Sequence, residues 1–306
     1  MFHVEHLFLK YIFPIFTSLN KNTLKVKLIC KDYTVSNEKF ELLYNSELEM
    51  LVTNPKPSDT KLPTYYKSES YISHTDAKKS LFDKTYQLVK SYALGQKVKM
   101  ITSFKTKEKR LLDIGCGTGD FISYAKNKSW NVVGVEPNKK ARELSIKKLN
   151  DTDAIYTSLE NLVDSKQEKF DVITLWHVLE HVPDIDKYIK QTKSLLKSDG
   201  YLVVAVPNYK SYDATHYKEF WAAYDVPRHL WHFSQKSIAR IFEKENMKVI
   251  QTLPMKFDSY YVSLLSEKYK TGKSNLFTAF KIGFLSNWKA RKTKEYSSLI
   301  YILKTK

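Results

Sequence analysis

The clearest pattern in the chain is a series of short apolar runs separated by mixed apolar and charged stretches. The runs at 111–114, 131–135, 170–176 and 201–206 are rich in Leu, Val and Ile. Such runs are typical of strands that are buried on both faces of a parallel sheet. The stretches between them are typical of helices, so the pattern predicts an α/β fold with helices on both faces of the sheet.

Both ends of the chain follow other patterns. Residues 1–75 have no helical period, and we expect short strands at 24–30, 39–44 and 49–53. Residues 76–104 space apolar side chains close to a helical period and predict a helix that breaks at Gly95.

The C-terminal part predicts the last two strands of the sheet. A short third strand is expected at 154–156, between the second and third of the runs above. Residues 248–254 then form the sixth expected strand and residues 297–304 the seventh. The insertion between them, at 256–296, reads as two helices.

A glycine-rich turn directly follows the strand at 111–114. Gly115, Gly117 and Gly119 separate this strand from a helix, an arrangement that brings backbone N–H groups close to a ligand. Dinucleotide-binding folds use the spacing G-x-G-x-x-G, with the pyrophosphate at the helix N-terminus. Here the third glycine position is Asp120, whose carboxylate would repel a pyrophosphate. The turn therefore favours another ligand.

The next strand ends in an acid, Glu136, which Pro137 follows at the start of a helix. In nucleoside-binding α/β folds, an acid at this strand end accepts hydrogen bonds from the ribose hydroxyls. Glycine turn and terminal acid together predict a nucleoside-containing ligand.

The G-x-G-x-G turn, with Asp113 before it and Glu136 after it, resembles motif I of class I S-adenosylmethionine (SAM) methyltransferases. The wider resemblance is to bacterial ubiquinone-type methyltransferases and sugar C-methyltransferases. It implies a Rossmann-like seven-stranded sheet whose last strand is antiparallel, and SAM as cofactor. The cofactor contacts that it implies are Asp113, Gly115, Cys116, Gly117, Gly119, Glu136, Pro137, Ser158, Leu159, Leu175 and Trp176.

Two histidines are candidates for a catalytic base. His181 lies in a stretch, 177–184, that resembles motif IV of the family, and it could instead pin the following turn. His229 lies in a block, 229–234, that loosely matches one carrying a base in sugar C-methyltransferases. Arg228 stands where that pattern has an acid, so an aromatic lid held by Arg228 and His229 is the alternative.

The N-terminal region departs from the family pattern. Many relatives carry a zinc ribbon with two C-x-x-C pairs there, whereas this chain has only Cys30 and Cys116. A thiolate zinc site is excluded, and we expect no metal. We expect a metal-free lobe at 1–75 and a methyltransferase domain at 76–306 with lid insertions at 209–233 and 256–296.

The chain carries a net charge of +17, which would suit nucleic acid or an anionic membrane. The lysines are widely spread and no nucleic-acid motif occurs, so we expect no nucleic-acid partner. Residues 266–296 contain eight cationic and two acidic side chains. In the same stretch, large apolar residues occur at every fourth position: Leu276, Phe280, Phe284 and Trp288. This helix either packs onto the acceptor lid or lies at a membrane surface.

The patterns together predict SAM-dependent methyl transfer to oxygen, carbon or nitrogen of a small or amphiphilic acceptor. A SAM-binding scaffold without turnover and an RNA methyltransferase are the alternatives. No apolar run is long enough to span a bilayer and no signal peptide is recognisable, so we expect a cytoplasmic protein with at most a peripheral membrane contact.

Overall fold

A computed structural model describes residues 24–58, 60–66 and 81–306, the side chains of 81–86 excepted. Its strands are β1 (Leu24–Lys31), β2 (Lys39–Asn45), β3 (Met50–Asn54), β4 (Arg110–Ile114), β5 (Asn131–Val135), β6 (Ile155–Tyr156), β7 (Phe170–Trp176), β8 (Leu196–Pro207), β9 (Trp231–His232), β10 (Met247–Pro254) and β11 (Ser298–Thr305). Its α-helices are α1 (Leu81–Thr102), α2 (Asp120–Lys126), α3 (Lys139–Leu149), α4 (Leu159–Asp164), α5 (Ile185–Ser194), α6 (Tyr212–Tyr217), α7 (Gln235–Glu243), α8 (Asp258–Thr271) and α9 (Leu276–Thr293).

The central sheet has seven strands in the order β10-β11-β8-β7-β4-β5-β6. The pairs β6–β5, β5–β4, β4–β7 and β7–β8 are parallel, whereas β11 runs antiparallel to both β8 and β10. This confirms the predicted α/β fold with an antiparallel last strand. Ligands of open α/β sheets bind outside the carboxyl ends of the parallel strands, so the ends of β4, β5 and β7 define the functional edge.

Both faces of the sheet are covered, which explains the nearly continuous apolar strands. In β7, every residue except the last, Trp176, is buried. Leu112, Ile114 and Ile173 face one apolar core, and Leu111 and Val172 face the other. Alternate residues of a strand point to opposite faces, so a strand between two cores must be apolar at every position.

The helix α1 continues through Gly95 without interruption. The expected break is therefore wrong. A Cβ at position 95 would lie 3.4 Å from the hydroxyl oxygen of Tyr124, so the small residue is explained by close packing against α2.

The N-terminal strands form a second sheet, in the order β1-β2-β3-β9. Its fourth strand, β9, comes from the 209–233 insertion, and the pairing joins Val52 to Trp231. A third apolar core lies beneath this sheet and includes Leu42 and Trp221. The expected lobe thus shares both sheet and core with the insertion. The boundary proposed at residue 75 falls outside the described residues, and the two-part division stays a prediction.

Helices α8 and α9 form the insertion between β10 and β11, as predicted. They approach closely at Gly283, where an added Cβ would lie 2.9 Å from the Cα of Tyr260. Ser259 Oγ donates to the carbonyl of Gly283 at the same crossing (3.1 Å). Among the described residues, no helix combines the length and apolarity that a bilayer crossing requires.

Candidate active site

The glycine turn adopts a conformation that other residues rarely adopt. Gly115, Gly117 and Gly119 all have positive φ angles of 56–79°. The backbone N–H groups of Gly115 and Cys116 donate to the carbonyl of Val135, which ties the turn to the end of β5. A Cβ at Gly117 would meet no atom within 4 Å. The turn therefore leaves open space at Gly117, where a ligand can approach the backbone closely.

Asp113 is buried at the end of β4. Its Oδ1 accepts a hydrogen bond of 2.6 Å from the hydroxyl of Thr174. Burial raises the pKa of Asp113 to about 7, although the hydrogen bond from Thr174 and the charge of Lys97 act in the opposite direction. The carboxyl group is held in place at the base of the turn.

Glu136 is also buried, one residue beyond β5. Its Oε2 accepts from the backbone N–H of Gly117 and its Oε1 from that of Asn138, both at 2.8 Å. Burial raises the pKa of Glu136, and these two hydrogen bonds oppose the shift. Each carboxylate oxygen can accept two hydrogen bonds, so capacity remains for two hydroxyls of a ligand. Pro137 follows, and its carbonyl accepts from Arg142.

Asp120 begins α2 and is held between two lysines. Its carboxylate lies 2.8 Å from Lys90 Nζ and 2.6 Å from Lys148 Nζ. A carboxylate in this place already occupies the anion-favouring first turn of the helix. The geometry agrees with a ligand other than a pyrophosphate.

A cavity of about 320 Å³ opens beside the turn. Its walls come from the turn, from Trp176 and from one face of α1. The lining residues are Lys90, Ala93, Leu94, Lys97, Asp113, Gly115, Cys116, Gly117, Thr118, Asp120, Phe121 and Trp176. Lys97 Nζ lies 3.9 Å from the centroid of a Trp176 ring.

The α1 residues of this cavity were missed by sequence reasoning. Lys90, Ala93, Leu94 and Lys97 follow the spacing i, i+3, i+4, i+7 of one helical face. Two lysines on the same face as apolar residues were the available signal. Burial lowers the pKa of Lys97, while the charges of Asp113 and Asp258 act to raise it.

Six predicted contacts are not among the residues that line the cavity: Gly119, Glu136, Pro137, Ser158, Leu159 and Leu175. Ser158 caps α4, with its Oγ accepting from the N–H of Asn161. Leu159 and Leu175 are 2% exposed and belong to the apolar core of one sheet face. Their predicted cofactor contacts stay predictions, and any contact by Leu175 would have to come from its backbone.

The sequence was compared with known protein families and structures. A family model for a methyltransferase domain matches residues 86–252, which is more than half of the chain. The chain belongs to the methyltransferase-domain family. Membership confirms the class predicted from the glycine turn and implies S-adenosylmethionine as the cofactor.

Curated relatives of this methyltransferase domain include ubiquinone biosynthesis O-methyltransferases. The protein of Actinobacillus pleuropneumoniae is 34% identical over 108 residues, which cover 33% of this chain and 46% of the relative. The protein of Pelagibacter ubique is 39% identical over 106 residues, which cover 33% of this chain and 43% of the relative. The chain thus spans less than half the length of these relatives.

Solved structures agree with the methyltransferase fold. The geranyl diphosphate C-methyltransferase of Streptomyces coelicolor superposes with a TM-score of 0.50 at 13% identity, covering 76% of this chain and 87% of that one. At this identity the likeness concerns the fold alone.

The two candidate bases of the methyltransferase lie next to each other. The rings of His181 and His229 are 4.6 Å apart between centroids. His181 Nδ1 lies 3.0 Å from the carbonyl oxygen of Arg228, and His229 Nδ1 lies 2.8 Å from that of Ala223. A carbonyl can only accept, so both Nδ1 atoms donate and both Nε2 atoms can accept a proton. Burial and the charge of His229 lower the pKa of His181 to about 4.

A buried carboxylate, that of Glu180, lies beside the two histidines. Glu180, His181 and His229 each offer one ligand atom, and these atoms lie within 4.8 Å of one another. Glu180 Oε2 is buried, and none of the described residues forms a hydrogen bond with it. Two imidazoles and a carboxylate could hold a divalent metal ion. The two cysteines of the chain exclude a thiolate site but not a site made of imidazoles and a carboxylate.

His229 has an acidic neighbour that the sequence pattern did not reveal. Asp225 Oδ2 lies 3.9 Å from His229 Nε2. This acid lies four residues upstream of His229, rather than at position 228, and its carboxylate is already held by Arg228. Arg228 instead bridges Asp225 and Asp32, at 2.6 and 3.1 Å.

A second and larger cavity of about 900 Å³ adjoins the first. It lies between α1, the end of β10 and the α8–α9 hairpin, and it shares Ala93 and Lys97 with the smaller cavity. Neither His181 nor His229 is among the residues that line these two cavities.

Proposed function

We propose that this protein transfers the methyl group of S-adenosylmethionine to a small or amphiphilic acceptor. The observation that carries the proposal is the glycine turn, which opens at Gly117 beside the buried carboxylate of Glu136. Membership of the methyltransferase-domain family supports it, and so does the large cavity next to the cofactor cavity.

The residues around the smaller cavity match the polar groups of the cofactor. Glu136 would accept hydrogen bonds from the two ribose hydroxyls. Asp113 would face the ammonium group of the methionine end, and the Lys97 ammonium its carboxylate. Trp176 would cover the methionine chain. The cofactor itself supplies an activated methyl group as a sulfonium.

The contribution of the protein is then alignment and exclusion of water. A base is needed only where the acceptor is a hydroxyl or an acidic carbon. His229 and His181 remain candidates, since the Nδ1 of each faces a carbonyl oxygen and Nε2 is then the nitrogen that can accept a proton.

The acceptor side supports an amphiphilic molecule. The larger cavity is lined by Tyr92, Phe257, Tyr260, Phe284 and Trp288, together with basic residues such as Lys256 and Arg291. Large apolar pockets with few polar groups are typical of small-molecule sites. Helix α9 adds an exposed aromatic face beside this cavity, and we propose that this face rests on an anionic membrane surface.

Titration calorimetry tests the cofactor part of the proposal. We expect the purified protein to bind both S-adenosylmethionine and S-adenosylhomocysteine at micromolar concentrations and to show no binding of NAD under the same conditions. Tight NAD binding without binding of either sulfur compound would overturn it.

A further inference from the structure

The residue that follows β7 directly, His177, lies between two carboxylates. Its Nδ1 is 3.3 Å from Glu180 Oε1, and its Nε2 is 3.2 Å from Asp258 Oδ2. Each ring nitrogen faces a carboxylate oxygen, so the imidazole is held in place between the two acids. The row Glu180–His177–Asp258 is anchored at one end because the Glu180 side chain is fully buried.

The backbone at His177 is held in an uncommon conformation. Its φ angle is +56°, and its N–H donates to the carbonyl of Ala205 at the end of the neighbouring strand. A left-handed conformation costs a residue with a Cβ about 1–2 kcal/mol. Residues held in this way occur preferentially at functional sites.

The other end of the row, Asp258, lines the 900 Å³ cavity. Asp258 supplies the only carboxylate among the described residues that form the cavity wall. The carboxylate contacts His177 Nε2 through its Oδ2. Its two oxygens together can accept about four hydrogen bonds, so acceptor positions remain for a ligand.

The composition of the wall restricts what Asp258 can bind. Lys97, Lys256 and Arg291 line the same cavity and disfavour a cationic ligand. Asp258 disfavours an anionic group at its own end. A neutral hydroxyl group of a ligand can donate one hydrogen bond to Asp258 without adding charge. An apolar or aromatic body of the same ligand would pack against the aromatic side chains of the wall.

We propose that Asp258, oriented by His177, binds the hydroxyl group of a neutral amphiphilic acceptor in this cavity. The proposal rests on the proposed methyl transfer and names the chemistry of its acceptor. Asp258 is the group that touches the acceptor, and His177 is a positioning residue. Lys97, which lines both cavities, marks where acceptor and cofactor meet.

The reaction that follows from this arrangement is O-methylation. The hydroxyl oxygen forms the new bond to the methyl carbon, and the carbon–sulfur bond breaks with its electron pair moving to sulfur. The hydroxyl proton passes to the Asp258 carboxylate, rather than to His181 or His229, because only Asp258 of these three lines the cavity, and it then passes to solvent. The products are a methyl ether and S-adenosylhomocysteine.

The test compares two probes that differ by one methyl group, 4-hexylphenol and 4-hexylanisole. Calorimetric titrations of the full chain, with and without S-adenosylhomocysteine, give the affinity ratio of phenol to ether. We expect the phenol to bind at least about 10-fold more tightly, because a site built to bond a hydroxyl rejects the analogue that lacks it. In Asp258→Ala and Asp258→Asn the ratio should fall to below about 3-fold, and His177→Gln should reduce it to an intermediate value.

The exposed acid Asp199 provides the matched control, and Asp199→Asn should keep the full ratio. Three outcomes would overturn the inference. The unaltered protein could bind both probes equally, it could bind neither probe, or both Asp258 variants could keep the full affinity ratio. Binding of S-adenosylhomocysteine is measured separately in each protein. Its loss in the unaltered chain would count against the proposed methyl transfer, whereas its retention beside equal probe binding would count only against Asp258.

Discussion

At the scale of single residues, the cofactor side of the site is built from neighbours along the chain. Gly117 donates its N–H to Glu136, so the turn after β4 and the acid after β5 fix each other. A carboxylate that backbone N–H groups already hold loses little freedom when a ligand binds. The carboxylate of Glu136 is therefore prepared to accept hydroxyl groups before they arrive.

The first prediction concerns Glu136→Ala. The substitution should weaken binding of S-adenosylmethionine by about 1–3 kcal/mol, because two ligand hydroxyls would lose their acceptor in a buried place. Calorimetry measures this, with Glu143→Ala, an exposed acid of the following helix, as the control. Equal affinities of the two variants would contradict the assignment.

The residues that could be read from the sequence are those with local partners. Asp113, Gly117 and Glu136 belong to a spacing that is visible in the chain itself. Asp258 was missed because its partner His177 lies 81 positions earlier in the numbering, and only the fold brings them to 3.2 Å. Asp225 is close to His229 in sequence, but the family pattern has its acid at position 228 and gives no signal at position 225.

At the scale of elements, the N-terminal sheet and the insertion after β8 are joined by buried charges. Arg228 donates to Asp225, to Asp32 and to the carbonyl of Tyr65. The side chains of Arg228 and Asp32 are 4% and 0% exposed. Removing one partner of such a pair leaves a buried charge without compensation.

The second prediction follows from this pair. Arg228→Met should lower the free energy of unfolding by about 3–5 kcal/mol, since two carboxylates lose their cation in the interior. Denaturant unfolding measures the change, and Arg240→Met, at an exposed arginine, should change it little. A loss below about 1 kcal/mol would mean that the Arg228 network contributes nothing net.

The third prediction is a dependence on pH. Burial opposes ionisation of Asp32, but hydrogen bonds from the backbone of Ser36 and Thr34, together with Arg228, outweigh it and lower the pKa well below its usual range. A pKa that is lowered in the folded state stabilises the fold at pH values above the unfolded pKa of about 4. This stabilisation is lost progressively as the pH falls from there toward the folded pKa. The difference in melting temperature between the unaltered protein and Asp32→Asn should therefore shrink between about pH 6 and pH 3. A difference that stays constant over this interval would contradict the assignment.

The elements themselves were largely predictable, and their associations were not. Six of the seven strands of the central sheet follow runs that the sequence predicts, whereas the seventh, β6, is only two residues long. The strand β9 is two residues long and pairs with β3 from a distant part of the chain. So short a strand carries no period of its own, and its pairing depends on the fold around it.

At the scale of the whole molecule, the apolar residues of α9 are distributed in an unusual way. The face toward the protein consists mainly of small residues, Ala279, Gly283, Ser286 and Ala290, with Ile282. The large side chains point away from it: Leu276, Phe277, Phe280, Phe284 and Trp288 are 53–81% exposed. Large exposed apolar patches mark interaction sites.

The charge around this face indicates what covers it. Residues 266–296 carry eight cations and two acids, on a chain with a net charge of +17. An aromatic face beside lysines and arginines is the composition of helices that lie in the interface of anionic membranes. Phe284 and Trp288 also line the larger cavity, so an amphiphile could pass from a membrane directly into it.

The last prediction is that the protein binds vesicles of mixed phosphatidylglycerol and phosphatidylcholine and not vesicles of phosphatidylcholine alone. Each lysine or arginine near an anionic surface contributes about 1 kcal/mol, and the contribution weakens with salt. Phe277→Glu/Phe280→Glu should abolish co-sedimentation, because it places two charges in the inserted face and leaves the cavity wall unchanged. The control Leu144→Glu/Ile250→Glu alters two exposed apolar residues elsewhere and should bind as the unaltered protein does. If both double variants bind equally, or if none of the proteins binds, α9 is a packed lid over the cavity and the acceptor reaches it from water.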